Sequence, residues 1–119
     1  MKDIQKKLLK HLKKELKFVE EGGYRRPSWH PPLIFEDSPA CPKYRDPGNL
    51  EVCLECPLRA LVREDLREEK IPCRHIPLNE RGETLDSLYR SSTQAEIETI
   101  LANWLKAKIY ELEASPVAR

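Results

Sequence analysis

The hydrophobic positions of the chain predict an amphipathic helix at its start. In residues 3–20 apolar side chains recur at the spacing that places them on one face of an α-helix. They are Ile4, Leu8, Leu9, Leu12, Leu16 and Val19. Asp3 is a suitable N-cap, and the Gly22-Gly23 pair is a typical stop signal. Because the opposite face is almost entirely lysine, we expect this helix to be basic and His11 to lie at the surface.

A second amphipathic helix is predicted near the other end. In the sequence TQAE at 93–96, Thr93 is expected to cap the helix and Glu96 to hydrogen-bond back to it. An apolar stripe follows, formed by Ile97, Ile100, Leu101, Trp104, Leu105 and Leu112. Ser115-Pro116 ends the pattern. We expect the stripes of both helices to face one core, as is typical of amphipathic helices.

The region between these helices is rich in proline at its start. Prolines exclude a long helix or a central strand there. They are Pro27, Pro31, Pro32, Pro39, Pro42 and Pro47. The same region holds Trp29 and the apolar run Leu33–Phe35, which a disordered linker would rarely carry. We therefore expect an ordered, extended segment.

Two short elements are predicted after it. A helix begins at Pro57, with Cys56 as its N-cap, and runs to about Glu69. A β-hairpin turning at Gly82 follows, since apolar residues flank the sequence NERG. The predicted fold class is mainly α, a small α+β domain. Two amphipathic terminal helices flank a proline-rich, cysteine-ligated centre with a short helix and a β-hairpin. The expected parts of this one domain are residues 1–22, 23–90 and 91–114.

Size and composition favour one domain with a modest core. The chain has 119 residues, 39% of them hydrophobic and 34% charged, with a net charge of +1. A chain of this length buries only about two-thirds of its unfolded surface, so an added cross-link would help. No apolar run approaches the ~20 residues of a membrane span, and no signal-peptide core is present. We therefore expect a cytoplasmic protein that does not insert in membranes, with reduced thiols.

The cysteines carry the clearest functional signal. Their spacing is C-x11-C-x2-C-x16-C, and a histidine follows two residues after the last. A CxxC turn before a helix aims two sulfurs at one point, where the helix dipole favours the thiolate that binds metal. We expect Cys53, Cys56 and Cys73 to bind one metal. The fourth ligand is either Cys41 or His75, and the sequence leaves that choice open.

The identity of the metal is also open between two possibilities. Structural zinc suits either a Cys₄ or a Cys₃His site. An iron–sulfur cluster prefers four cysteines, often beside proline. Proline adjoins Cys41, Cys56 and Cys73. The leading interpretation is zinc, and the alternative is a [4Fe–4S] cluster.

One short stretch resembles a known family. CLECPLRA at 53–60 is similar to the CxxCPxR piece of the WhiB-like iron–sulfur regulators, and Cys41 fits their upstream cysteine. The resemblance implies an iron–sulfur cluster. Val62 stands where that family has its last cysteine, and the Gly-Trp-Gly-Gly turn is absent. The chain is therefore not assigned to this family.

These features predict a small metal-binding protein without catalytic residues. The leading hypothesis is a binding or adaptor protein with a structural zinc site, whose docking surfaces are the lysine face and the segment from Trp29 to Phe35. The alternative is a [4Fe–4S] protein for electron transfer or redox sensing. A protein partner is expected. Nucleic acid would be contacted through basic side chains. These are Lys6, Lys10, Lys13, Lys17, Arg25 and Arg26.

Overall fold

The fold is mainly helical in the part of the chain that the computed structural model describes, residues 3–25, 33–41, 50–69 and 71–114. The α-helices are α1 (Asp3–Glu20), α2 (Leu85–Ser91) and α3 (Gln94–Ala114). Short 3₁₀ turns lie between them at Gly23–Arg25, Leu50–Leu54, Pro57–Leu61, Glu64–Leu66 and Pro72–His75. The mainly α class is confirmed. The predictions that involve Arg26, Trp29 and Ser115-Pro116 lie outside the described residues.

Both terminal helices form where the sequence predicts them. α1 ends at a glycine turn, in which Gly22 has a φ of 76° that is accessible to glycine without steric cost. α3 starts with the expected capping box. The Thr93 N–H donates to Glu96 Oε1 at 2.8 Å, and the Glu96 N–H donates to Thr93 Oγ1 at 3.2 Å. These bonds satisfy backbone donors that a helix start would leave without partners.

The apolar stripes of α1 and α3 pack against each other. This is the most extensive contact between any two elements in the described structure. The buried side chains are Leu8, Leu12 and Val19 of α1 and Ile97, Leu101, Trp104, Leu105 and Ile109 of α3. The expectation that both stripes face one core is confirmed for these residues. An exposed ion pair, Lys13 to Glu113 at 2.6 Å, also joins the two helices.

The predicted β-hairpin is wrong, because the described residues contain no β-strand. A turn does occur at Gly82, which has a φ of 74°, and the Leu78 N–H donates to the Glu83 carbonyl across it at 2.8 Å. The chain then enters α2 instead of a strand. Leu85 and Leu88 are both fully buried. A three-residue spacing puts them on one face of a helix but on opposite faces of a strand.

The start of α2 carries a local signal that favours a helix. Thr84 is its N-cap, and its hydroxyl accepts a hydrogen bond from the Ser87 N–H at 3.3 Å. In return the Thr84 N–H donates to the Ser87 hydroxyl at 3.0 Å. This reciprocal pair is a capping box with serine in place of glutamate. It fixes the helix start directly after the turn.

The helix predicted from Pro57 to about Glu69 is broken into two 3₁₀ turns. Cys56 does occupy the N-cap position, followed by Pro57. The backbone then becomes extended at Val62, with a ψ of 143°. The Arg67 guanidinium donates to the Val62 carbonyl at 2.9 Å and to the Ala60 carbonyl at 3.3 Å. Carbonyls that a continuous helix would use in its own ladder accept from this arginine instead.

A buried polar network fastens residues 33–41 to α1. Glu15 of α1 is fully buried, and the Tyr24 hydroxyl donates to its carboxylate. The same hydroxyl accepts from the Phe35 N–H at 2.8 Å. Phe35 has a φ of 67°, an uncommon conformation for a residue other than glycine. Its ring is buried against Trp104, with ring centroids 6.4 Å apart, and this packing offsets the backbone strain.

We predict that Glu15→Gln changes how stability depends on pH. Burial raises the pKa of the Glu15 carboxyl, so the folded state holds this proton more tightly than the unfolded state does. That stabilisation is complete below the unfolded pKa and is lost as the pH rises toward the folded pKa. The variant should therefore gain stability relative to the wild type as the pH rises above about 4.3, by about 1.4 kcal/mol per unit of pKa difference.

Urea unfolding at pH 4, 6 and 8 measures this effect. Glu20→Gln is the matched control, because Glu20 lies on the same helix but is exposed. Its profile should follow that of the wild type. Parallel profiles for Glu15→Gln and the wild type would contradict the prediction.

Candidate metal centre

The four cysteines line one cavity in the structure, although they are dispersed along the sequence. They are Cys41 at the end of segment 33–41, Cys53 in the turn Leu50–Leu54, Cys56 before the turn Pro57–Leu61, and Cys73 in the turn Pro72–His75. The cavity volume is about 20 Å³. Apolar side chains, including Leu58 and Ile71, complete much of its wall. The fold thus brings every thiol of the chain to the same place.

Short turns position these cysteines. The Cys56 N–H donates to the Cys53 carbonyl at 3.3 Å, which closes the turn between the two thiols. The Cys41 N–H donates to the Ser38 carbonyl at 3.0 Å. Prolines precede Cys73 and follow Cys56, and their rings fix φ beside each thiol. Local hydrogen bonds and proline geometry therefore set the backbone at the cavity without a long helix.

The electrostatic environment of the thiols differs from the sequence expectation. The backbone N–H groups of Leu58 and Arg59 favour the Cys56 thiolate and lower its pKa, as expected at the start of a helical turn, but burial outweighs them. Burial is the main influence on the thiols. It raises the pKa of Cys56 to about 11 and raises the pKa of Cys73 well above its usual range. Without a bound cation, these two thiols are neutral at pH 7.

The positions of the two histidines near the cysteines are the reverse of those expected. His75 is not among the described residues that line the cavity. Its Nε2 lies 3.8 Å from Glu69 Oε1 instead. His11 of α1 does line the cavity, so the expectation that it lies at the surface is wrong. Burial lowers the pKa of His11 to about 4, which leaves its imidazole neutral at pH 7.

The sequence does contain a signal for the position of His11. It stands three residues after Leu8 and four before Glu15, and both of those residues are buried. Residues at these spacings share one face of a helix. His11 therefore lies at the border between the buried face of α1 and its lysine face, since Lys7 and Lys14 stand at equivalent spacings and are exposed.

An ion pair between a buried carboxylate and a partly exposed arginine adjoins the cavity. Glu36 lines the cavity, and its side chain is only 4% exposed. Arg74 binds it in a bidentate manner, with Nε to Oε2 at 2.8 Å and Nη2 to Oε1 at 3.0 Å. The hydrogen bonds to Glu36 raise the pKa of Arg74 further above its usual value. The pair links the segment that ends at Cys41 to the turn that contains Cys73.

The thiols surround the cavity without forming a coordination polyhedron. No disulfide joins any two of the four. Across the described ranges, no group of three or more His, Cys, Asp or Glu side chains is arranged to hold a metal ion. A tetrahedral zinc site needs each sulfur about 2.3 Å from the ion. Metal binding therefore requires the sulfurs to change position relative to one another.

The basic residues considered for nucleic acid do not form one free surface. Lys13 pairs with Glu113, and Arg25 lies 3.2 Å from Glu98. Lys6, Lys10 and Lys17 are exposed on α1. The expected contact through Lys13 and Arg25 would thus compete with ion pairs inside the chain.

We predict that Arg74→Met destabilises the fold. The substitution leaves the buried Glu36 carboxylate without its partner, and because Arg74 is itself partly exposed, the expected loss is about 1–3 kcal/mol, the cost of an unsatisfied buried polar group. Urea unfolding at pH 7 measures the loss. The double variant Glu36→Gln/Arg74→Met should recover much of it, because no unpaired charge then remains buried.

Arg90→Met is the control for this measurement. Arg90 pairs with Asp86 at 3.4 Å, but both side chains are largely exposed. The expected cost there is about 1 kcal/mol or less. Equal losses for Arg74→Met and Arg90→Met would show that burial of the Glu36 pair has no special effect.

Comparison of the chain with protein-family models, curated proteins and solved structures finds no match. Among the described helices, none is long and apolar enough to cross a lipid bilayer. The functional interpretation therefore depends on the residues of this chain alone. Any proposed function must explain why four thiols converge on one small, largely apolar cavity.

Proposed function

We propose that this chain is a small, non-enzymatic binding protein whose centre is completed by one structural zinc ion. Its ligands are Cys41, Cys53, Cys56 and Cys73. The observation that supports this proposal is that all four thiols line the same cavity. Four cysteine sulfurs are a common ligand set for structural zinc. His75 is left out of the site because it lies beside Glu69.

The size of the cavity favours a single ion. Its volume of about 20 Å³ is close to the space that one water molecule requires. A [4Fe–4S] cluster contains four irons and four sulfides, so it would need a much wider separation of the chain segments. A single ion would fit within this space, whereas a cluster would have to displace wall residues such as Leu58 and Phe35.

In this proposal the zinc ion connects elements that have few backbone hydrogen bonds to one another. The thiols belong to residues 33–41 and to separate 3₁₀ turns. Because such sites are not preformed in the unfolded chain, the free energy of metal binding stabilises the fold. The site belongs in a reducing compartment such as the cytoplasm, where the thiols are not consumed by disulfides.

The second candidate is a [4Fe–4S] protein for electron transfer or redox sensing. The observation in its favour is an all-cysteine set with proline beside Cys41, Cys56 and Cys73. It differs from the zinc proposal in a measurable way. The cluster absorbs visible light and contains iron and sulfide, whereas zinc is colourless and inert to reduction.

We predict one zinc per chain in protein purified without oxygen, and no visible charge-transfer band. Elemental analysis and an absorption spectrum measure both. Each single Cys→Ser substitution among the four should lower zinc affinity by at least about a hundredfold, the upper end of the loss caused by removing an outer-shell partner. Iron and sulfide in the protein would replace this proposal with the cluster. Stoichiometric zinc or iron binding by a variant that carries all four substitutions would refute both the zinc proposal and the cluster proposal.

The two histidines provide a matched test of which residues surround the ion. We expect His11→Gln to lower zinc affinity by about tenfold, because the neutral imidazole lines the cavity and is placed to support a ligand. His75→Gln should leave affinity unchanged. Competition with a chromophoric zinc chelator gives both values. A larger loss of zinc affinity for His75→Gln than for His11→Gln would make His75, in place of Cys41, the fourth ligand.

A further inference from the structure

A groove opens on the surface beside the cysteine cavity. Its volume is about 520 Å³, within the range of about 300–1,000 Å³ that binding sites occupy. Cys56 and Arg59 line both the groove and the cavity. Lys7 of α1 and Arg67 form other parts of the groove wall. The groove is therefore built partly from the same turn that holds the candidate metal ligands.

The groove wall carries a net positive charge, because Lys7, Arg59 and Arg67 outnumber Glu55, the one carboxylate of its described lining. The Arg67 guanidinium donates to the Val62 and Ala60 carbonyls, which orient it without cancelling its charge. Arg59 donates to the Arg67 carbonyl at 3.3 Å. It also pairs with Glu68, but that carboxylate is 85% exposed, so the pair is weak in water.

An exposed apolar side chain adjoins these charges. Leu54 lines the groove and is 57% exposed, which is unusual for a large hydrophobic residue of this chain. Pro57 and Ala60 extend the apolar surface along the same wall. Cations beside an exposed leucine are complementary to a segment that combines carboxylates with an apolar side chain. The described lining offers no aromatic ring on which a nucleic-acid base could stack.

We propose that this groove docks an acidic segment of a partner protein. Carboxylates of the segment bind Lys7 and Arg67, and an apolar side chain packs on Leu54. The inference rests on the proposed function, because a zinc ion would fix Cys56 and so the wall that the groove shares with the cavity. A binding protein with this centre would therefore recognise a partner segment that carries carboxylates and an apolar side chain.

A synthetic peptide tests the proposal with the full chain. The probe is a fluorescein-labelled peptide of alternating glutamate and leucine residues, and fluorescence anisotropy measures its binding. Lys7→Gln and Leu54→Ser should each weaken binding by about tenfold, which is about 1.4 kcal/mol. Both side chains are exposed, so neither variant is expected to unfold. Lys17→Gln removes an equal charge elsewhere on α1 and should have no effect.

Two outcomes would overturn the docking site. Equal weakening by Lys17→Gln and Lys7→Gln would show that the peptide responds to overall charge. Binding of an oligothymidylate that depends on Lys7, without binding of the peptide, would identify nucleic acid as the occupant.

The zinc content of each sample separates this proposal from the proposed function. Peptide binding that depends on Lys7 and Leu54, in protein that is purified without zinc and does not take up added zinc, supports the docking site and refutes the zinc centre. Zinc-loaded protein that does not bind the peptide refutes the docking site alone.

Discussion

The arrangement of the cysteine cavity depends on the ion pair between Glu36 and Arg74. The segment that ends at Cys41 and the turn that contains Cys73 have no sheet or long helix to align them in the described structure. The bidentate contact fixes both the distance and the orientation between these pieces, since guanidinium and carboxylate meet as two planar groups. Tyr24 and Tyr89 assist by accepting hydrogen bonds from the Phe35 and Ile34 N–H groups.

This construction concentrates polar interactions around a small apolar space. A buried ion pair contributes little net stability compared with apolar packing, but removing only one of its two partners is destabilising. The same holds for the network in which Tyr24 connects Glu15 to Phe35. The core formed by α1 and α3 thus supplies stability, whereas these networks specify where the thiols lie. A metal ion would add stability where the apolar core is thinnest.

The sequence was informative where interactions are local. Periodic apolar positions and the capping box at Thr93 located α1 and α3, because neighbouring residues along a helix determine both signals. The spacing of Leu85 and Leu88 also fits a helix, whereas the turn at Gly82 between apolar residues predicts a β-hairpin. The cysteine spacing identified a shared site without showing which histidine lies near it. Two features had no sequence signal. The Glu36–Arg74 contact joins side chains that are distant in the sequence. The break at Val62 is accompanied by an arginine that donates to the carbonyls of earlier residues.

The separation of the cysteines along the chain has a consequence for biosynthesis. Cys41, Cys53 and Cys56 leave the ribosome before Cys73, and the helix α3 that packs on α1 follows later still. The cavity is therefore complete only after Cys73 has been made, because its lining extends from His11 to Cys73. Until then the early thiols remain accessible to cellular oxidants and to competing metals. Three of the four thiols are thus made before the last member of their shared cavity.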